Sequence, residues 1–192
     1  MWQWISTILS FLSLISLILI VKQIRDTRVW NKIHFTYTFF PDALAFESIE
    51  VFLDKRISFW KRDSPLTETE VKALLGKSEL RDDELHLLGK AFDSTIKKDG
   101  IDDIKNELSE AGRKLKLYMN QIESYCAAIS SGVIISETAK NIYSYKFKRA
   151  YEKAKPWIDE LRRRTNEQGL YIELQKTIKE WYPEIKGEVA HY

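Results

Sequence analysis

Few side chains in this sequence are able to do chemistry, and their spacing suits it poorly. The chain of 192 residues holds three histidines, His34, His86 and His191, and one cysteine, Cys126. No histidine falls in the H-E-x-x-H pattern or another metal-ligand spacing, so all three read as surface or partly packed side chains. Cys126 lies beside the apolar stripe of a long helical segment, where a thiol is buried and inert rather than nucleophilic. Being alone it forms no internal disulfide, which fits a reducing compartment. Asp82, Asp83 and Glu84, and then Asp102 and Asp103, are acidic clusters of the kind that hold Mg²⁺ or exchange protons. Both clusters sit where helices start, and there acids complement the helix dipole. The phosphate-binding G-x-x-x-x-G-K, the dinucleotide G-x-G-x-x-G and the nucleophile G-x-S-x-G patterns are absent from the sequence. The expectation is a non-enzymatic protein without cofactor or metal.

Two polar features stand out. Asn120 and Glu123 are neighbours at i, i+3 and flank the apolar Ile122. Such a pair would fix helix register by bonding Tyr145, Arg149 or an arginine of the 162–164 run, or would line a ligand pocket. Charge is also uneven. Residues 79–110 carry ten acids and five bases, and residues 137–164 nine bases and four acids. The basic side chains Lys146, Lys148, Arg149, Lys153, Arg162, Arg163 and Arg164 would face the acidic segment, form a solvated face or lie on anionic lipid. Tyr143, Tyr145, Phe147 and Tyr151 interleave with them in a way that superficially suits base stacking, but their helical spacing reads as core. The chain's near-balanced total charge, +2, also gives no reason to expect nucleic acid as a partner.

The strongest architectural signal lies at the N-terminus. Residues 2–21, WQWISTILSFLSLISLILIV, carry no charge. Twenty helical residues span about 30 Å, the thickness of the bilayer's hydrocarbon core. Twelve positions from Ile5 to Val21 are Ile, Leu, Phe or Val, and together they favour insertion by at most about 4 to 7 kcal/mol. No basic side chain precedes the run and no A-x-A-like site follows it, so it reads as a retained signal anchor rather than a cleaved leader. Lys22, Arg25, Arg28 and Lys32 come directly after it, which places the N-terminus outside the cell membrane and the rest of the chain in the cytoplasm. Ser6, Ser10 and Ser13 share one helical face, with Ser16 near it. This spacing would let two copies of the span approach, or each serine would bond its own helix.

The remaining segments read as helices that would position these residues. The run 30–40 alternates like a strand through Ile33, Phe35, Tyr37 and Phe39, but no other segment offers a strand partner. It is therefore read as a continuation of the anchor helix, broken near Pro41, with Trp30 either at the membrane interface or in the core. A short helix is expected over 42–54. Thr67 and Glu70 form a capping box for a brief helix ending at Gly76. Another helix is expected over 81–97. Over 101–130 the apolar positions Ile101, Ile104, Leu108, Ala111, Leu115, Tyr118, Ile122, Tyr125 and Ile129 alternate steps of three and four, the pattern of a long helix packed along its length. Gly112 within it suggests a close crossing. A second long helix should start with Ser136 as N-cap and break at Pro156, a favoured N1 residue. The last, near 168–182, puts Tyr171, Leu174, Ile178 and Trp181 on one face. The fold class is all-α: a transmembrane anchor over 1–22, a juxtamembrane helix or linker over 23–41, a cytoplasmic helical bundle over 42–183 and a loose tail over 184–192.

The segments YMNQIESYCAAISSGVI, FKRAYEKAKPWIDELRRRT and YIELQKTIKEW, in that order, together with the upstream RDSPLTETE, resemble the bacterial DUF4760 family of unknown function. The resemblance implies a membrane segment followed by a cytoplasmic helical domain, and an accessory role in phage exclusion or stress defence. It carries no catalytic residue. The expected function is a membrane-localised sensor or adaptor whose partners are the lipid bilayer and a protein or a second copy. The alternatives are an effector that oligomerises through its span and perturbs the bilayer, and an enzyme whose site is assembled from scattered residues.

Overall fold

The computed structural model describes residues 2–38, 43–76, 80–89 and 101–184. Among them the chain is all-helical, with eight helices and no strand. The side chains of residues 2–10, 43–45, Arg56 and His86 lie outside the described set, as does everything over 39–42, 77–79, 90–100 and 185–192. The expected tail, His191 and the second half of the helix expected over 81–97 therefore fall outside it.

Helix α1 runs Trp2–Thr38, 37 residues, or about 55 Å. The run from residue 30 is helical to Thr38, so the strand reading is excluded there. Every described side chain from Phe11 to Phe35 is exposed, on all sides of the helix, and Trp30 is not part of the core. Thr36 is the exception, with no accessible surface. Among the described residues no helix is long and apolar enough to cross a membrane. The uncharged run over 2–21 takes in residues 2–10, whose side chains are not among those described.

The other seven helices form a bundle. They are α2 (Ala43–Arg56), α3 (Ser58–Lys61), α4 (Glu68–Leu74), α5 (Asp82–Gly89), α6 (Ile101–Ser130), α7 (Ser136–Thr165) and α8 (Ile172–Trp181). α6 is the pillar, packed against α2, α4, α5, α7 and α8. The three-four stripe accounts for this: Ile104, Leu108, Ala111, Leu115, Tyr118, Ile122, Tyr125 and Ile129 are all buried. α4 starts on the expected capping box. The Glu70 N–H donates to the Thr67 hydroxyl, and the Thr67 N–H donates to the Glu70 carboxylate at 2.8 Å. It ends at a left-handed Gly76, φ 68°. Leu174, Ile178 and Trp181 of α8 are buried, as is Tyr171 before it.

Two expectations about α7 are corrected. The helix does not break at Pro156 but runs unbroken through it. Proline in a helix interior removes one backbone bond and costs about 3 kcal/mol. Here the apolar stripe continues past it, from Phe147, Ala150, Tyr151 and Ala154 to a fully buried Trp157 and Ile158. Burying two such side chains favours the helix by about 3 to 6 kcal/mol, enough to offset the proline. Nor is Ser136 the N-cap. That position is Ile135, which offers no side-chain cap, and the Ser136 hydroxyl instead accepts from Trp181 Nε1 at 3.2 Å.

Candidate functional site

Glu123 is a cap supplied from another helix. The residue preceding α8, Tyr171, has left-handed backbone, φ 55°, and no side-chain cap of its own. The Glu123 carboxylate reaches across from α6 and accepts from the N–H groups of Glu173 and Leu174 at 3.0 and 2.7 Å. One carboxylate thus satisfies two of the free donors at the helix start and opposes its dipole. Asn120, one turn earlier, accepts from the Tyr171 hydroxyl at 2.9 Å. The pair expected from sequence is therefore joined, but its partners are Tyr171 and the start of α8 rather than Tyr145, Arg149 or the 162–164 arginines. Because α7 and the turn after it separate these residues in sequence, no local pattern announces the pairing. Glu123→Ala should lower the unfolding free energy by about 1 to 2 kcal/mol, and Glu123→Gln, which keeps an acceptor, by less. Denaturant melts of the two variants check this. A Glu123→Gln protein with unchanged stability and lost cellular activity would favour a ligand role instead.

A second joint ties α1 to the bundle. The Tyr125 hydroxyl of α6 donates to the Thr36 carbonyl at 2.8 Å, and the Ile135 N–H donates to the Thr36 hydroxyl at 3.2 Å. That hydroxyl donates in turn to the Lys32 carbonyl at 2.8 Å. Burial pushes the Tyr125 phenol well above its usual range, so it stays a donor. Nothing in the sequence marks Thr36 for this role.

The seven basic residues singled out from the sequence, of the nine on α7, do not form one free surface. Lys146 pairs with Glu50 at 2.9 Å, Arg149 lies 3.7 Å from Asp54 and 3.8 Å from Asp63, and Lys148 lies 3.9 Å from Glu152. These acids belong to α2, to the loop before α4 and to α7 itself, not to the acidic segment over 79–110. Arg162 donates to the Leu170 carbonyl and to Gln175, closing the turn into α8. Arg163 and Arg164 both bond Glu160 and hold its carboxyl down at about 2. Lys153 is buried and donates to the Trp60 carbonyl. Desolvation, and then the nearby Arg149, lowers its pKa. Of the interleaved aromatic residues, Phe147 and Tyr151 are core and Tyr143 is half-buried, but Tyr145 is 71% exposed. It stands between two adjoining clefts of about 340 and 210 Å³.

Asp82, Asp83 and Glu84 occupy the first turn of α5, and Asp102 and Asp103 that of α6. The Arg81 N–H donates to Glu84 at 3.0 Å. No group of His, Cys, Asp and Glu among the described residues could hold a metal. Cys126 has no accessible surface, and burial raises its thiol to about 12. His34 is stacked on Trp30 along exposed α1. Ser13 is exposed on α1, and the side chains of Ser6 and Ser10 lie outside the described set.

An all-helical bundle whose helices are tied by polar joints is the class of protein that the described residues define. The chain belongs to the DUF4760 family, a domain of unknown function, which matches residues 5–181. No curated protein and no solved structure matches it.

Proposed function

We propose that the protein is a membrane-anchored interaction module: α1 crosses the cell membrane once with the N-terminus outside, and the cytoplasmic bundle binds a protein partner or a second copy without catalysing a reaction. The observation that carries this is the state of α1. It is apolar from Phe11 to Val21 but for two serines, and its side chains there have no protein cover on any side. A helix apolar all round is covered either by a protein core or by lipid. With the uncharged residues before Phe11 the run reaches about 30 Å. Lys22, Arg25, Arg28 and Lys32 follow it and are exposed, which supports the orientation. Membrane fractionation with reporter fusions at both ends is the test. A C-terminal reporter active only in the periplasm would overturn the orientation, and a chain recovered wholly in the soluble fraction would overturn the anchor.

Thr36 gives this module a coupling point, because the last turn of the anchor helix shares hydrogen bonds with α6 and with the start of α7. Thr36→Val keeps the shape and removes the acceptor for the Ile135 N–H, at a cost of about 1 kcal/mol. Amide exchange at Ile135 should accelerate about fivefold. Unchanged exchange there would show that the joint does not hold α1 to the bundle.

A further inference from the structure

Seven of the nine cations of α7 fall into two groups. Arg162, Arg163 and Arg164 are absorbed in holding the turn to α8 and Glu160, whereas Lys146, Lys148, Arg149 and Lys153 converge on the two adjoining clefts, which share Tyr145, Arg149 and Lys153. We propose that the joined clefts bind a mononucleotide, with its phosphate held between Arg149 and Lys153 and its base stacked on Tyr145.

Four observations carry the assignment. The first is size: small-molecule sites occupy about 300 to 1,000 Å³; the cleft of about 340 Å³ reaches that range by itself, and the adjoining one of about 210 Å³ extends it. The second is Lys153, only 3% exposed. An ammonium has three donors, and among the described residues the Trp60 carbonyl is its one hydrogen-bond partner. Lys153 lies in both cleft walls, with its ammonium also 5.6 Å from the centroid of the Trp60 ring, and an incoming anion would take up its further donors and offset the desolvation of the charge. The third is Arg149. Its contacts to Asp54 and Asp63, at 3.7 and 3.8 Å, are long beside the 2.7 to 2.9 Å of a charge-assisted bond. The Asp63 side chain is 91% exposed, so a phosphate could take the guanidinium without disrupting packing. The fourth is Tyr145, the one exposed ring among neighbours that pack inward, set beside two cations where a base would find a stacking face. Glu50, Asp63 and Glu152 also line the clefts. Against four bases they leave the lining weakly positive, which suits one phosphate rather than a long polyanion.

The test is calorimetric titration of the full chain in detergent with AMP, GMP, CMP and UMP, with adenosine and inorganic phosphate as partial probes. At least one mononucleotide should bind saturably with Kd below about 1 mM, and adenosine and phosphate should each bind at least about tenfold more weakly than AMP. Tyr145→Ala, an exposed position whose replacement leaves the core intact, should weaken nucleotide binding about fivefold or more. Arg149→Gln should weaken it about tenfold or more. Binding by none of the four nucleotides, phosphate binding as tightly as AMP, or an unaltered Tyr145→Ala variant whose circular dichroism matches the parent would each overturn the proposal.

Discussion

Replacing Gly112 with alanine should destabilise the bundle by about 2 kcal/mol, the reverse of what helix propensity alone dictates. Alanine favours an α-helix interior over glycine by about 1 kcal/mol, and Gly112 sits inside α6, on its buried face. But a Cβ at this position would overlap the carbonyl oxygen of Leu74, the last residue of α4. The obstacle is backbone, not the end of a flexible side chain, so α4 would have to move away from α6 as a unit. Val71, Ala73 and Leu74 are buried on that short helix, and overpacking at such a contact costs about 1 to 3 kcal/mol or more. For a chain of this size a loss of 2 kcal/mol lowers Tm by about 4 to 8 °C. Gly112→Val, with its branched Cβ, should lower it further. Gly132 serves as the comparison. It lies in the turn after α6 at φ 72° with open space around a built Cβ, so Gly132→Ala carries only the left-handed backbone penalty of about 1 to 2 kcal/mol. Thermal melts followed by circular dichroism decide the matter. If Gly112→Ala raises Tm, the close approach of α4 to α6 is wrong.

What could be read from the sequence was whatever local periodicity and end chemistry encode. The stripe from Ile101 to Ile129 defines α6 to the residue, because a helix packed along its length must repeat its apolar positions every three or four residues. Thr67 and Glu70 announce the start of α4 because both halves of the capping box lie within four residues. Gly112 hinted at a close crossing without naming Leu74 as the neighbour. Pro156 misled because its helix-breaking tendency is local, whereas the burial of Trp157 and Ile158 that outweighs it is tertiary. Ser136 misled for a related reason: a cap preference describes an isolated helix end, and here Trp181 claims the hydroxyl. The candidate sites show the same division. Asn120 and Glu123 were visible as polar residues flanking an apolar stripe. Their partners on and before α8 were not, since 50 or more residues of chain separate them. Thr36, the exposure of Tyr145 and the burial of Lys153 had no signal at all. A threonine in an aromatic run and a lysine among lysines look alike whether they face solvent or a neighbouring helix.

If α1 is the proposed membrane anchor, placing two arginines at the centre of the apolar run, Leu12→Arg with Ile15→Arg, should release the chain from the membrane. The twelve large apolar side chains between Ile5 and Val21 favour insertion by at most about 4 to 7 kcal/mol. An arginine near the bilayer centre opposes insertion by about 2.5 to 3.5 kcal/mol, so the pair amounts to about 5 to 7 kcal/mol and removes two favourable side chains as well. Leu12 and Ile15 are exposed on α1 and belong to no part of the buried core, so the folded domain keeps its own core, and loss of membrane binding is separable from loss of fold. One arginine alone still leaves up to about 4 kcal/mol in favour of insertion and should release much less of the chain than the pair, while Ser13→Leu should strengthen retention slightly. Alkaline carbonate extraction of membranes from expressing cells reports the outcome: the parent stays in the pellet and the double variant leaves it. Retention of the double variant would mean that α1 is held by something other than the hydrocarbon core. The uncovered apolar surface from Phe11 to Val21 would then need a protein, not a lipid, to cover it.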